Sequence, residues 1–338
     1  MNAIPVTIVS GFLGSGKTTL LNRILNSDLA SRKGLKIAVM VNDFGELNID
    51  SQLVVSAEQN MINLENGCIC CTVESDLIEQ LRKLLQLREG RPDVILIETS
   101  GVSEPSKVVN TLRYPEFKNL LTIDAVISLL DAEQFTQLEG TMKRLAMDQL
   151  SVADIIVLNK TDLVTDKQLQ SLKEQWLFPK ASVYETQYAN VPLPLLMGVS
   201  SAEQPPEFTA PEHACSESCS PQNHTHGHTH SHSQQFSSMS WQSEQPLHLQ
   251  QLKQILTNLP SNIYRVKGIV NLVEVPEQRC LVHKVGSRLS IEKQDNWQVP
   301  KNSQLVLIAN STLDKEVITM QLEEALAVNN YEQLDKRD

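Results

Sequence analysis

The stretch GFLGSGKTT, residues 11 to 19, constrains the fold more than any other part of the chain. It follows the apolar run VTIVS and precedes the helical pattern LLNRIL, so a glycine-rich turn joins a buried strand to a helix N-terminus. The pattern G-x-x-x-x-G-K-[ST] arises by chance in a chain of this length about one time in a hundred at average residue usage, which makes a merely glycine-rich turn the weaker reading. Gly11, Gly14 and Gly16 let successive backbone N–H groups, with Ser15 among them, turn inward onto phosphate oxygens. The helix N-terminus adds its positive end, Lys17 reaches the β- and γ-phosphates, and the Thr18 hydroxyl is placed for Mg²⁺, with Thr19 completing the phosphate-side set.

Short runs rich in Val and Ile recur along the first two hundred residues at 6–10, 36–41, 93–98, 124–130 and 154–158, separated by amphipathic stretches such as SDLIEQLRKLLQL. Near-continuous apolar strands spaced by helices predict an α/β domain with a mostly parallel sheet covered on both faces. From residue 198 to 245 the composition shifts to Ser, Gln, Pro, His and Glu, which reads as a flexible linker. A helical pattern, four alternating strands and a closing helix follow, giving a small α+β domain. The expected organisation is a nucleotide domain over 1–197, the linker over 198–245, the second domain over 246–330 and a tail over 331–338.

The base is read at LNKTD, where Asn159, Lys160 and Asp162 end the run DIIVL. A carboxylate there accepts from both N1–H and the exocyclic amine of guanine; adenine offers neither donor, and a buried carboxylate facing it would stay unpaired. The sequence therefore favours GTP over ATP, and disfavours a phosphotransferase of kinase type. A loop with a helix N-cap at Asp162 or Thr165 is the plainer alternative. In IETSG, Glu98 at a strand end suits the Mg²⁺ shell and Gly101 suits sensing of the γ-phosphate, so that Lys17, Glu98 and Gly101 form the candidate catalytic set. The polar stretch NDFGELNID, with Asp43 and Glu46, suits a loop that orders around GTP and Mg²⁺, or else ordinary solvated charges.

Only six cysteines are present, and three crowd into NGCICC as Cys68, Cys70 and Cys71. Clustered thiols in a chain of this size point to metal binding rather than a disulfide framework, and adjacent cysteines make a strained bridge. Soft thiolates suit Zn²⁺ and also tolerate Co²⁺ or Ni²⁺; a fourth ligand comes from elsewhere, with Glu46, a histidine or a partner protein as candidates. A second signal is HTHGHTHSH, which alternates His224, His226, His228, His230 and His232. A linker of this length spans ~40 Å on average, enough to carry ions to the cysteine loop. The net charge of −11, with 29 basic against 40 acidic residues, disfavours nucleic acid as a partner. No apolar run approaches a membrane span and the first residues lack a basic leader, so the expected location is the cytoplasm, with no membrane association.

GFLGSGKTT, NDFGELNID, NGCICC, IETSGVSEP and LNKTD, in this order and followed by a His-rich segment and a small α+β domain, resemble the CobW-type metallochaperone GTPases, relatives of UreG and HypB. The resemblance covers nearly the whole chain. It implies a P-loop fold with a CobW C-terminal domain, GTP hydrolysis, a C-x-C-C metal site and, coupled to the hydrolysis, delivery of the ion to a client metalloprotein. By matching position it makes Gly14, Gly16, Lys17 and Thr18 the phosphate and Mg²⁺ residues, Asn159, Lys160 and Asp162 the guanine readers, and Cys68, Cys70 and Cys71 the metal ligands. Asp43 departs from the family's more usual Glu. No arginine finger or water-positioning glutamine stands near Gly101 in the sequence, so a low intrinsic hydrolysis rate is expected without the client. A metal-storage protein with a regulatory nucleotide domain is the competing reading, and a homodimer through a C-terminal sheet edge is a further expectation.

Overall fold

The computed structural model describes residues 3–27, 36–41, 61–63, 73–87, 91–178, 181–198, 236–297, 301–310 and 313–327. Asp43, Glu46, Cys68, Cys70, Cys71, His224, His226, His228, His230 and His232 lie outside the described residues. Contacts divide the chain into two compact units: Met1–Val199 with Leu259–Arg265 and His283–Ser290, and Ser200–Asn258 with Val266–Val282 and Ile291–Asp338.

The first unit is built on seven strands, all paired in parallel. They are β1 (Ile4–Gly11), β2 (Ile37–Val41), β3 (Met61–Asn63), β4 (Val94–Glu98), β5 (Leu121–Asp131), β6 (Ile155–Asn159) and β7 (Ser182–Glu185), in the order β3-β2-β4-β1-β5-β6-β7. The helices between them are α1 (Lys17–Leu25), α2 (Val73–Leu85), α3 (Pro105–Leu112), α4 (Gly140–Ser151), α5 (Asp166–Trp176) and the short α6 (Leu193–Leu196). Strands β4 and β6 are buried along their whole length, as expected for a sheet covered on both faces. One core cluster joins Leu77, Leu81 and Leu84 of α2 and Val108 and Leu112 of α3 to Val6, Ile8, Ile95 and Ile97. Another joins Ala146 and Leu150 of α4 and Leu172 of α5 to Leu130, Ile156 and Leu158. The expected mostly parallel α/β architecture is present.

Strand order decides where chemistry can sit. After β1 the chain builds outward through β2 and β3, returns to β4 beside β1, then crosses to β5 on the other side. Such a reversal opens a crevice beyond the carboxyl ends of the central strands, the usual ligand position in an open α/β sheet. Gly11, Glu98, Asp131 and Asn159 are the last residues of β1, β4, β5 and β6.

In the second unit, β8 (Phe236–Ser243) pairs antiparallel with β12 (Ser303–Asn310) in unbroken register from Ser243↔Ser303 to Phe236↔Asn310. This corrects the expected linker, which ran to residue 245. The strand FSSMSWQS was masked by its serines, yet it alternates, and Met239 and Trp241 are buried. Beyond it come α7 (Leu249–Asn258), β9 (Ile263–Leu272), β10 (Val275–Val285), β11 (Arg288–Asn296) and α8 (Lys315–Glu323). The five C-terminal strands run in the order β11-β10-β9-β12-β8. Leu252, Leu256, Ile318 and Leu322 give the two helices buried faces.

Candidate functional site

The phosphate loop is shaped by its glycines. Gly11, Gly14 and Gly16 hold φ of 138°, 74° and 105°, and Gly16 caps α1 in the left-handed region. A Cβ on Gly16 would stand 2.5 Å from the Asn159 amide nitrogen, so both the backbone angle and the space exclude a side chain there. Lys17 is buried, and its ammonium donates to the Phe12 carbonyl at 3.3 Å, folded back over the loop it serves. The Thr18 hydroxyl lies 3.4 Å from Oε1 of Glu98, which is also buried. A hydroxyl and a carboxylate brought together from α1 and β4 are hard oxygen donors, the set that suits Mg²⁺.

The N-K-x-D segment is tied into this loop. Asn159 is buried, and its amide nitrogen donates to the Ser15 carbonyl at 2.9 Å while its Oδ1 accepts from the Ala189 N–H at 2.9 Å. Both ends of the amide are therefore spent on backbone, one on the phosphate loop and one on the segment after β7. Thr161 adds two bonds to the Thr186 carbonyl, from its N–H at 3.3 Å and its hydroxyl at 3.2 Å. Lys160 stands in the left-handed region, and its ammonium meets Oδ2 of the buried Asp131 at 2.6 Å. The other Asp131 oxygen accepts the N–H groups of Glu133 and Gln134. Asp162 is exposed in a short 3₁₀ turn, Thr161–Leu163. Thr165 is the N-cap of α5 and forms a reciprocal capping box with Gln168, so the helix cap and the N-K-x-D segment coexist.

Two family models match the chain, one over most of the first two hundred residues and one over the C-terminal part. Residues 5–181 match the CobW/HypB/UreG nucleotide-binding domain, and residues 236–326 match the cobalamin synthesis protein CobW C-terminal domain. The chain belongs to the CobW/HypB/UreG family. Among its relatives, a protein named zinc chaperone CobW from Pseudomonas aeruginosa is 34% identical over 96% of this chain and 92% of its own length. A second zinc chaperone CobW, from Sinorhizobium sp, is 28% identical over 93% and 95%. Zinc chaperone YjiA from Escherichia coli is 30% identical over 94% and 97%.

In this CobW-family chain the loop after β4 completes the described part of the site. Gly101 is buried against the phosphate loop, where a Cβ would come within 2.7 Å of the Leu13 backbone nitrogen. The turn from Ser100 closes on itself, with the Ser103 N–H and hydroxyl both donating to the Ser100 carbonyl at 3.1 and 2.8 Å. Thus Gly11, Gly14, Ser15, Gly16, Lys17, Thr18, Thr19, Glu98, Gly101, Asn159, Lys160 and Asp162 lie at or just after the carboxyl ends of β1, β4 and β6. Among the described residues no group of three His, Cys, Asp or Glu side chains is placed to hold a metal ion, and no helix is long and apolar enough to cross a membrane. Sequence reasoning missed Asp131, whose only signal was a carboxylate ending a buried strand, as Glu98 does. It also missed the 186–190 segment and Gln149.

Proposed function

We propose that this chain is a GTP-hydrolysing zinc metallochaperone, which holds the ion at Cys68, Cys70 and Cys71 and releases it to a client metalloprotein when GTP is hydrolysed. The reading rests on one observation above the others: the Asn159 amide bridges the phosphate loop and the 186–190 segment, which ties the N-K-x-D turn directly to the phosphate cradle. Zinc as the cargo is supported by relatives that bear that name over nearly the whole chain.

In this reading the N–H groups from Gly14 to Thr18 surround the β-phosphate, and Lys17 swings from the Phe12 carbonyl onto the β- and γ-oxygens. Thr18 and Glu98 would hold Mg²⁺, which supplies charge neutralisation at the β- and γ-phosphates when bound. Asp131 fixes Lys160, Asp162 accepts the two guanine donors, and the Gly101 N–H faces the γ-phosphate. Loss of that phosphate frees the loops carrying Asp43, Glu46 and the cysteines. Nucleotide binding to wild type and Asp162→Asn tests the base assignment. The variant should lose at least about a hundredfold in GTP affinity and gain affinity for xanthosine triphosphate, whose C2 carbonyl accepts from the new amide. Equal affinity of the wild type for ATP and GTP would contradict it.

A further inference from the structure

The loop that carries Gly101 is held from outside the nucleotide motifs. Gln149 stands near the end of α4, forty-eight residues away in sequence from Gly101, and is 1% exposed. Its amide nitrogen donates to the Gly101 carbonyl at 3.2 Å and to the Ser103 carbonyl at 3.0 Å. Two carbonyls can only accept, so the contacts orient the amide with its nitrogen toward the turn. Its Oε1 is buried without a hydrogen-bond partner, which is unfavourable for a polar atom cut off from water. An apolar residue of the same size would fill the core without that cost, so packing alone does not account for a glutamine here.

The placement has a consequence for the chemistry. A donor on the Gly101 carbonyl fixes the Gly101–Val102 peptide plane, and a donor on the Ser103 carbonyl closes the other end of the same turn. Gly101 itself abuts the Leu13 backbone nitrogen of the phosphate loop. Gln149 therefore sets how the turn leans on the loop, at the position where a γ-phosphate separates GTP from GDP. The same helix runs directly into β6, which ends in Asn159.

We infer that Gln149 is the positioning residue of the γ-phosphate sensor: its amide pre-organises the Gly101–Ser103 turn for GTP, and it contributes nothing to binding of the diphosphate. This rests on the GTPase reading above, with Gly101 as the sensing residue. No role in touching the substrate is assigned to it.

The test uses the full chain with Gln149→Leu, which removes both donors at similar volume, and Gln149→Glu, which removes them only while its carboxyl is ionised. GDP affinity, affinity for a non-hydrolysable GTP analogue, single-turnover GTP hydrolysis and the thermal midpoint are measured for each. The expected result is a change under about threefold for GDP, with a loss of about tenfold or more for the analogue and for hydrolysis, the order of one charge-free hydrogen-bond pair. A buried carboxyl facing two carbonyls is driven toward its neutral form, which regains one donor. The Gln149→Glu deficit relative to wild type should therefore shrink between pH 8 and pH 6, while that of Gln149→Leu stays constant. Should the leucine variant not fold, Gln149→Asn, one methylene too short to reach both carbonyls, is expected to show the same GTP-selective loss. Parallel losses of GDP and analogue affinity, or hydrolysis unchanged in folded variants, would overturn the inference. A wild type that hydrolyses GTP while the variants match it sinks the Gln149 role alone; a wild type that neither binds nor hydrolyses GTP sinks the GTPase reading with it.

Discussion

At the scale of single residues, the site depends on atoms that leave no room for substitution. Gly16→Ala places a methyl group against the Asn159 amide and forces a non-glycine residue to φ near 105°. It should lower GTP affinity by at least about a hundredfold while costing about 1–3 kcal/mol in folding stability; calorimetric titration and urea unfolding separate the two. Asn159→Ala removes two buried hydrogen bonds and strands the Ser15 carbonyl and the Ala189 N–H. A loss of about 2–4 kcal/mol in urea unfolding is expected, together with weaker nucleotide binding. Lys17, Thr18 and Asp162 were legible because their motifs are contiguous and each residue type has one chemical reason to be there. The Asn159 tether was not, since Ser15 and Ala189 lie 144 and 30 residues from it in sequence. Gln149 was hidden for the same reason: its partners are backbone carbonyls, which carry no residue signature.

At the scale of elements, the central parallel strands could be read from their apolar runs, whereas the three-residue β3, the four-residue β7 and the serine-rich β8 could not. The sheet also carries two buried carboxylates of opposite behaviour. Burial opposes ionisation of Asp124 on β5, but Arg265, His283 and the Gly198 N–H outweigh it and hold the carboxyl well below the usual range. Asp154, just before β6, is pushed up to about 6 by burial, although Arg288 and the Val126 N–H favour its charge. The signs follow from linkage. Asp124 contributes stability above the ordinary value of 3.8 and loses it as pH falls toward its lower folded value. Asp154 binds a proton more readily folded than unfolded, so its contribution declines as pH rises from about 4 to about 6, by about 3 kcal/mol. Asp124→Asn should cost about 3–5 kcal/mol at pH 7, because it leaves the buried Arg265 unpaired, and should blunt acid unfolding below pH 4. Asp154→Asn should flatten the pH 4–6 slope with no loss at pH 7. Urea midpoints measured across pH 3.5–7.5 check both.

At the scale of the whole molecule, the two-domain plan could be read from composition, but the compact units do not break at the linker alone. Leu259–Arg265 and His283–Ser290 belong with the nucleotide unit, through contacts such as Arg265 with Asp124 that sequence spacing does not reveal. The central claim is a linkage between nucleotide and metal. If GTP orders the loops carrying Asp43, Glu46 and the cysteines, nucleotide must change metal affinity, and metal must change nucleotide affinity by the same factor. The most direct measurement is a competitive Zn²⁺ titration in the presence of GDP and of a non-hydrolysable GTP analogue. It compares the chain with His224, His226, His228, His230 and His232 changed to serine against the same chain also carrying Cys68→Ser, Cys70→Ser and Cys71→Ser. The account predicts a tight site at least about fivefold tighter with the GTP analogue than with GDP, and absent from the cysteine variant. Equal affinity in both nucleotide states, or a tight site that survives loss of the three cysteines, would contradict it and describe a protein that stores zinc rather than one that hands it on.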